Sequence, residues 1–177
     1  GVDGGKSIDT TMGMTSVEGL IMGTRSGDVD PGLIPVIMKE DSLSPDDFIN
    51  LLYRESGLLG ISGLSRDMRE ITVAASNGDE RAKLALEAFC YKIKRAIGSM
   101  LMALGSCDAI IFTGGIGLYS DIVREKTLNG AQDLGFILDK DLNSLYSGQE
   151  IEHVVDISSS RSKVRILVIK TFEEIMM

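Results

Sequence analysis

The chain has 177 residues, a formal charge of −8, 44% hydrophobic, 25% charged and 5% aromatic residues. A chain of this size buries about 70% of its unfolded surface as one domain or a large piece of one, and its apolar share argues against wholesale disorder. Acidity without a clustered basic stripe argues against a nucleic-acid partner, and no apolar run approaches the ~18 residues of a membrane-spanning helix.

No secretory signal pattern opens the sequence, and Cys90 and Cys107 are too few for a disulfide framework. They are expected to be buried thiols of a cytoplasmic, reducing environment. The chain starts at Gly1, already mid-pattern. Residues 1–5 read as a hairpin turn and residues 6–10 as the strand leaving it. The strand entering that turn is expected to be missing, as in a truncated or proteolysed enzyme; the alternative is a disordered start with no missing partner.

Residues 17–23 read as a short apolar helix capped by Thr15 or Ser16, with Glu18 in its first turn. A loop dense in helix breakers follows over residues 23–32, and residues 33–39 look helical. Ser44-Pro45-Asp46-Asp47 opens the next helix, with serine as cap, proline at the first position and acids at the positive end. It carries Phe48, Leu51 and Leu52 and ends near Gly57, before a glycine-punctuated connection over residues 57–63. Residues 65–70 start another helix. Over residues 79–104 the apolar positions recur at steps of three and four, from Ala82 to Leu104, as one continuous stripe of a core helix. Residues 108–113 form a short apolar run after a helix, hence a buried strand of a parallel or mixed sheet. Gly114-Gly115-Ile116-Gly117 turns it into a helix over about residues 120–134. A weaker polar segment leads to a second buried strand at 163–170, and residues 171–174 begin a final helix. Strands alternating with helices make the class α/β.

Four segments carry chemistry. Arg25, between glycines and followed by Asp28 and Asp30, presents a planar cation on a mobile backbone, suited to bidentate contact with phosphate or carboxylate oxygens. The alternative is a surface arginine tied to Asp28. Strand, Thr113-Gly114-Gly115-Ile116-Gly117, then helix is phosphate-site architecture, although neither the P-loop nor the dinucleotide pattern is satisfied. The alternative is a glycine turn required for packing. Ser65-Arg66-Asp67-Met68-Arg69 offers helix-end amides with Asp67 and Arg69, or is a capped helix with a solvated charge pair. Glu173 and Glu174 follow a strand, where a carboxylate can face a metal or merely complement a helix dipole. His153, the sole histidine, stands without a His or Cys neighbour and is assigned no role.

Taken in order, residues 6–15 and 18–31, 56–71, Phe112-Thr113-Gly114-Gly115-Ile116-Gly117, and 162–169 with Glu173-Glu174 resemble the acetate kinase family along nearly the whole chain. The resemblance implies a ribonuclease-H-like domain of the actin, Hsp70 and sugar-kinase superfamily, a mixed sheet flanked by helices and lacking its first strands. Residues 1–177 would then be the C-terminal nucleotide-binding domain. It implies reversible, magnesium-dependent transfer of phosphate from ATP to acetate, giving ADP and acetyl phosphate by direct in-line displacement. Arg25 matches the arginine that stabilises the transferring phosphoryl group, and Glu173 the carboxylate associated with Mg2+. Asp67, Met68 and Arg69 match the adenosine-contacting trio, while Gly115 and Ile116 lie in the matching nucleotide loop. A cytoplasmic homodimer is implied. An N-terminal half with a catalytic aspartate, histidine and second arginine is missing, so the isolated chain is expected to be inactive. Leu118 and Tyr119 replace a usual Glu-Asn, Ser16 a usual proline and Phe172 a usual asparagine. A propionate or butyrate kinase relative, and a non-catalytic nucleotide-binding module of the same fold, are the alternatives.

Overall fold

A computed structural model describes residues 1–171, which fall into two units, Gly1–Ala103 and a second beginning at Leu104. The first opens with β1 (Val2–Asp3) and β2 (Lys6–Ser7), paired antiparallel about Gly4 and Gly5. Both arms of the hairpin are thus present. The entering strand that the sequence reading had missing is Val2–Asp3, and the leaving strand is shorter than expected.

Residues 17–23 are not a helix. Their amides bond across the chain instead of four residues back: Gly19 N–H donates to Asp28 Oδ1 (2.8 Å) and Met22 N–H to the Arg25 carbonyl (3.1 Å). Gly19 itself sits at φ +110°, outside the helical region. The helices α1 (Leu33–Glu40) and α2 (Pro45–Asn50) form as expected. A reciprocal capping box starts α2, Ser44 Oγ accepting from Asp47 N–H while the Asp47 carboxylate accepts from Ser44 N–H (both 3.2 Å). The chain then widens into a π-helical turn, Leu51–Glu55, and restarts as α3 (Gly57–Ser62) where a glycine-rich connection was expected. Gly63, left-handed at φ +65°, closes α3.

Asp67 caps α4 (Met68–Ser76), its Oδ1 accepting from Arg69 N–H at 2.9 Å. The long helix α5 (Glu80–Leu104) buries Ala82, Ala85, Leu86, Phe89 and Cys90. With Phe48, Leu58, Met68 and Ile71 these make the core of the unit, each large side chain worth about 1.5–3 kcal/mol of burial. The stripe is a core stripe only that far. From Ile93 onward its apolar residues are half-exposed or exposed, and Met102 is 85% exposed.

In the second unit, β3 (Ala109–Phe112) runs parallel to β5 (Arg165–Ile169), and β4 (Val154–Asp156) runs antiparallel to β5 on its other side. This mixed sheet confirms the α/β class. The central β5 buries Ile166 and Val168, whereas β3 pairs on one side only among the described residues and leaves Ile111 half-exposed. The glycine turn expected at 114–117 is itself the start of a helix, α6 (Gly114–Tyr119), and the helix expected over 120–134 is the shorter α7 (Asp121–Leu128) with a 3-10 turn, Gln132–Leu134, beyond it. The polar segment beyond holds α8 (Lys140–Leu145) and β4. Both cysteines are free; Cys90 is buried and Cys107 half-buried, its thiol pKa pushed up chiefly by burial.

Arg124 of α7 is fully buried and donates to five acceptors, none of them a carboxylate. Nη1 reaches the Gly117 and Leu118 carbonyls (2.9 and 2.8 Å), Nε reaches Asn143 Oδ1 (2.7 Å), and Nη2 the Asn143 and Tyr146 carbonyls (3.1 and 3.2 Å). The cation thus meets carbonyl groups in or beside α6 and α8, where helix dipoles favour positive charge.

Two predictions test these elements. Arg124→Met leaves several buried acceptors unsatisfied and lowers the denaturant midpoint, at a cost of roughly 3–5 kcal/mol. Arg124→Lys, without the planar fork, recovers only part of it. The Asp67 carboxyl is held down to about 2, first by the Arg69 guanidinium and then by the Arg69 amide. Its support of α4 is therefore complete above the ordinary carboxylate value of ~3.9 and is lost as pH falls through about 2. A carboxyl-detected NMR titration should place its midpoint near that lower value, and Arg69→Ala should move it up toward ~3.9.

Candidate functional site

The Arg25 segment is bonded down along its backbone. Met22 and Gly23 carbonyls accept from Leu58 and Leu59 amides (2.9 and 3.0 Å), the Thr24 carbonyl accepts from Ser56 N–H (3.0 Å), and Ser26 N–H donates to Leu52 (3.0 Å). Thr24 Oγ1 adds a bond to the Tyr53 carbonyl (2.9 Å). The mobile backbone expected at Arg25 is corrected by these bonds: the bend is held by the π turn and the start of α3. Gly57 makes that docking possible. It lies at φ +61°, and a Cβ there would stand 2.2 Å from the Met22 carbonyl oxygen and 2.6 Å from that of Arg25. No other residue fits without moving the Arg25 peptide.

The half-buried Arg25 side chain donates through Nη1 to the Ser16 carbonyl at 3.2 Å. It does not pair with Asp28. That carboxylate is taken by Lys92, which with the Gly19 amide lowers its pKa against the opposing effect of burial. Arg25 has no carboxylate partner among the described residues, so most of its donors are unspent. It borders an open cavity of about 650 Å³ with Thr24 and Tyr53.

The 65–69 segment adjoins this bend: a Cβ on Gly23 would lie 3.2 Å from the Arg66 carbonyl oxygen. A serine-based turn shapes it, Ser62 Oγ accepting from Leu64 and Ser65 amides (3.1 and 3.2 Å) and Ser65 Oγ from Asp67 N–H (3.0 Å). Asp67 and Arg69 form a two-pronged ion pair, with Arg69 86% exposed, and Met68 is buried in the core. The segment is therefore a capped helix with a solvated charge pair, whose outward donors are those of Arg69.

In the second unit, Thr113 precedes α6 and its hydroxyl lies 3.4 Å from that of Thr171. Gly115 and Ile116 occupy the first turn of α6. Space around Gly115 is open, since a Cβ there would meet nothing within 4 Å, so a ligand can approach the backbone. The far end of the turn is fixed by Arg124 on the Gly117 and Leu118 carbonyls. Leu118 is buried in the core and Tyr119 is partly exposed. Glu173 lies outside the described residues, as does the expected final helix. Among the described residues no three His, Cys, Asp or Glu side chains converge on a point that could hold a metal. Magnesium bound largely through phosphate oxygens and water needs only one or two protein carboxylates, so the donors required are few. No helix among the described residues is long and apolar enough to cross a membrane.

Two structural residues escaped the sequence reading. Arg124 carries no local signal, because an arginine on an amphipathic helix reads as surface. Gly57 was visible only as one glycine of several; its place just after a helix end is the hint that a close backbone approach is built there.

The model of the acetokinase family matches residues 1–177. The acetate kinase of Methanosarcina barkeri is 48% identical over 174 residues, covering 98% of this chain and 41% of that protein. That of Microcystis aeruginosa is 50% identical over 173 residues, with 98% and 42% covered. Among solved structures, Porphyromonas gingivalis acetate kinase superposes with a TM-score of 0.92 at 41% identity, covering 99% of this chain and 43% of that one. A propionate kinase from Francisella tularensis gives 0.89 at 40%, with 99% and 43% covered. The chain thus spans less than half the length of the relatives it matches. With a family model that matches from end to end and relatives near half identity over almost all of it, the chain belongs to the acetokinase family.

Proposed function

We propose that the chain is the C-terminal portion of an acetate kinase that transfers the terminal phosphate of ATP to acetate, reversibly and with Mg2+. The observation that carries this reading is Arg25, a guanidinium held on a locked backbone, without a carboxylate partner and beside an open cavity. In the transfer, a carboxylate oxygen of acetate attacks the γ-phosphorus, the bond from that phosphorus to the bridging oxygen breaks, and ADP leaves with the electron pair. Charge spread over the three equatorial oxygens is what a planar, bidentate donor stabilises. Arg25 takes that role. Gly115 and Ile116 offer approachable backbone to the nucleotide phosphates, and Arg69, anchored by Asp67, offers outward donors to the adenosine. Met68, buried in the core of its unit, offers the nucleotide no surface of its own and serves it only by anchoring the start of α4. Glu173 is the carboxylate assigned to Mg2+, which supplies neutralisation of phosphate charge when bound.

The acyl group is a short carboxylate, acetate in the first place. The propionate kinase likeness is almost as strong as the acetate kinase one, so propionate is the second reading. A cytoplasmic homodimer belongs to the same proposal, and the half-exposed apolar stripe on the second half of α5 is surface suited to it. A non-catalytic nucleotide binder has no use for an unspent arginine at a transferring phosphate.

Arg25→Ala in the full-length enzyme should lower kcat by about 10³–10⁵ while leaving the equilibrium affinity for ATP within a few fold. Equal losses in both, or neither, would point to a binder rather than a catalyst. The 177-residue chain by itself should form no acetyl phosphate at an appreciable rate in a hydroxamate or coupled assay. Normal turnover by the purified chain would remove the need for a further half.

A further inference from the structure

The cavity beside Arg25 is bordered by two more arginines, Arg54 from the π-helical turn and Arg66 from the turn before α4. Both are exposed, and neither side chain has a hydrogen-bond or ion-pair partner among the described residues. The carboxylates next to them in sequence are committed elsewhere: Glu55 accepts from Asn50 (2.9 Å) and Asp67 is taken by Arg69. Asp46 is the one carboxylate on the cavity wall. In a chain of net charge −8, three guanidiniums thus meet one carboxylate around a single space of about 650 Å³. They are held there by backbone, because the Arg25 bend is bonded to the π turn and lies against the Arg66 carbonyl. In-line transfer requires Arg25 alone of these three.

The geometry points to a second oxyanion subsite, formed by Arg54 and Arg66 beside Arg25, that takes a condensed phosphate, an anion with two or more linked phosphate groups. Guanidiniums carried by three different segments are spanned more fully by linked phosphates, which present bidentate edges along their length, than by a single compact orthophosphate. Asn50 and Tyr53 on the same wall add neutral polar atoms, and the opening to solvent admits a long ligand. The linked phosphates come either from a nucleotide tail or from a free inorganic polyphosphate.

Calorimetric titration of the 177-residue chain with sodium pyrophosphate, at fixed ionic strength, tests the subsite. Pyrophosphate should bind about tenfold or more tighter than orthophosphate, and Arg54→Gln/Arg66→Gln should remove that preference. Arg54→Lys/Arg66→Lys, which keeps the charge but not the fork, should retain only part of it. Arg161→Gln, the same charge change at an exposed arginine that does not border the cavity, should leave it intact. Since neither the Arg54 nor the Arg66 side chain is bonded to the protein among the described residues, the Gln variants should keep the wild-type circular dichroism spectrum and unfolding midpoint. A parallel titration with ATP separates the two sources: an equal loss in the double variant identifies a nucleotide tail, and a loss for pyrophosphate alone a free polyphosphate. Equal affinity for pyrophosphate and orthophosphate, no effect of the double variant, or the same loss in Arg161→Gln would overturn the subsite. Because the readout is binding without turnover, that failure would leave the kinetic role of Arg25 standing.

Discussion

The close approach of Gly57 to the carbonyls of Met22 and Arg25 is the constraint on which the candidate site rests. Two backbone segments meet there at a distance that leaves no room for a side chain. The meeting works because the helix that begins at Pro45 does not continue regularly. It widens into a π turn at Leu51–Glu55, and the carbonyls of Leu52 and Tyr53 become acceptors for Ser26 and Thr24 instead of being used up within a helix. Interrupted helices of this kind carry backbone groups that must find partners, and they concentrate at functional sites for that reason. Here the partners are supplied by the segment that displays Arg25. A flexible presentation of the guanidinium would lose rotational and backbone freedom on every encounter with ligand; a bonded one has already lost the backbone share on folding.

Two arginines in this chain show how one side chain serves opposite ends. Arg124 is buried and has given its donors to carbonyl and amide oxygens, so it holds the two helix ends of the second unit together and has nothing left for a ligand. Arg25 has given one bond to Ser16 and is half-exposed. The difference lies in the residues around each: carbonyl groups of two helices surround Arg124, whereas the carboxylate nearest Arg25 in sequence is diverted to Lys92. Unspent hydrogen-bonding capacity, not the presence of a cation, is what marks a position for ligand.

Much of the fold was legible because the strongest signals are periodic. The α5 stripe, the Ser44 cap with Pro45 behind it, and the apolar runs that became β3 and β5 could be read directly. Failures came where long-range bonds override local preference. Residues 17–23 look like a helix until Asp28 and the Arg25 carbonyl take their amides, and residues 57–63 look like a loop although a six-residue helix forms between two glycines. The half-exposed end of α5 is not legible in the sequence because a stripe reports which face is apolar, never what covers it. At the site, composition and spacing marked Arg25 and the glycine turn, and the resemblance supplied their roles. The pairing of Asp28 with Lys92 joins residues far apart in sequence and had no signature at all.

Net acidity is compatible with the proposed anion site because charges act over different ranges. Most of the described ion pairs tie a lysine or arginine to a carboxylate on the surface, as in Lys140–Glu125, Arg165–Asp156 and Lys170–Glu150. Such pairs contribute little to stability, but they cancel fields locally. At physiological ionic strength the remaining negative charge is screened beyond about 8 Å, so it weakens the approach of an anion without reaching into its bound position. Inside the cavity, guanidinium–oxygen contacts at hydrogen-bonding distance are governed by direction and desolvation, which screening affects much less. A subsite of the kind proposed would thereby discriminate against anions in general and favour those whose shape fits a cluster of arginines that outnumbers its one carboxylate, Asp46. Selectivity of this sort follows from which cations are left unpaired, and removing a partner carboxylate elsewhere on the surface would blur it by creating competing sites.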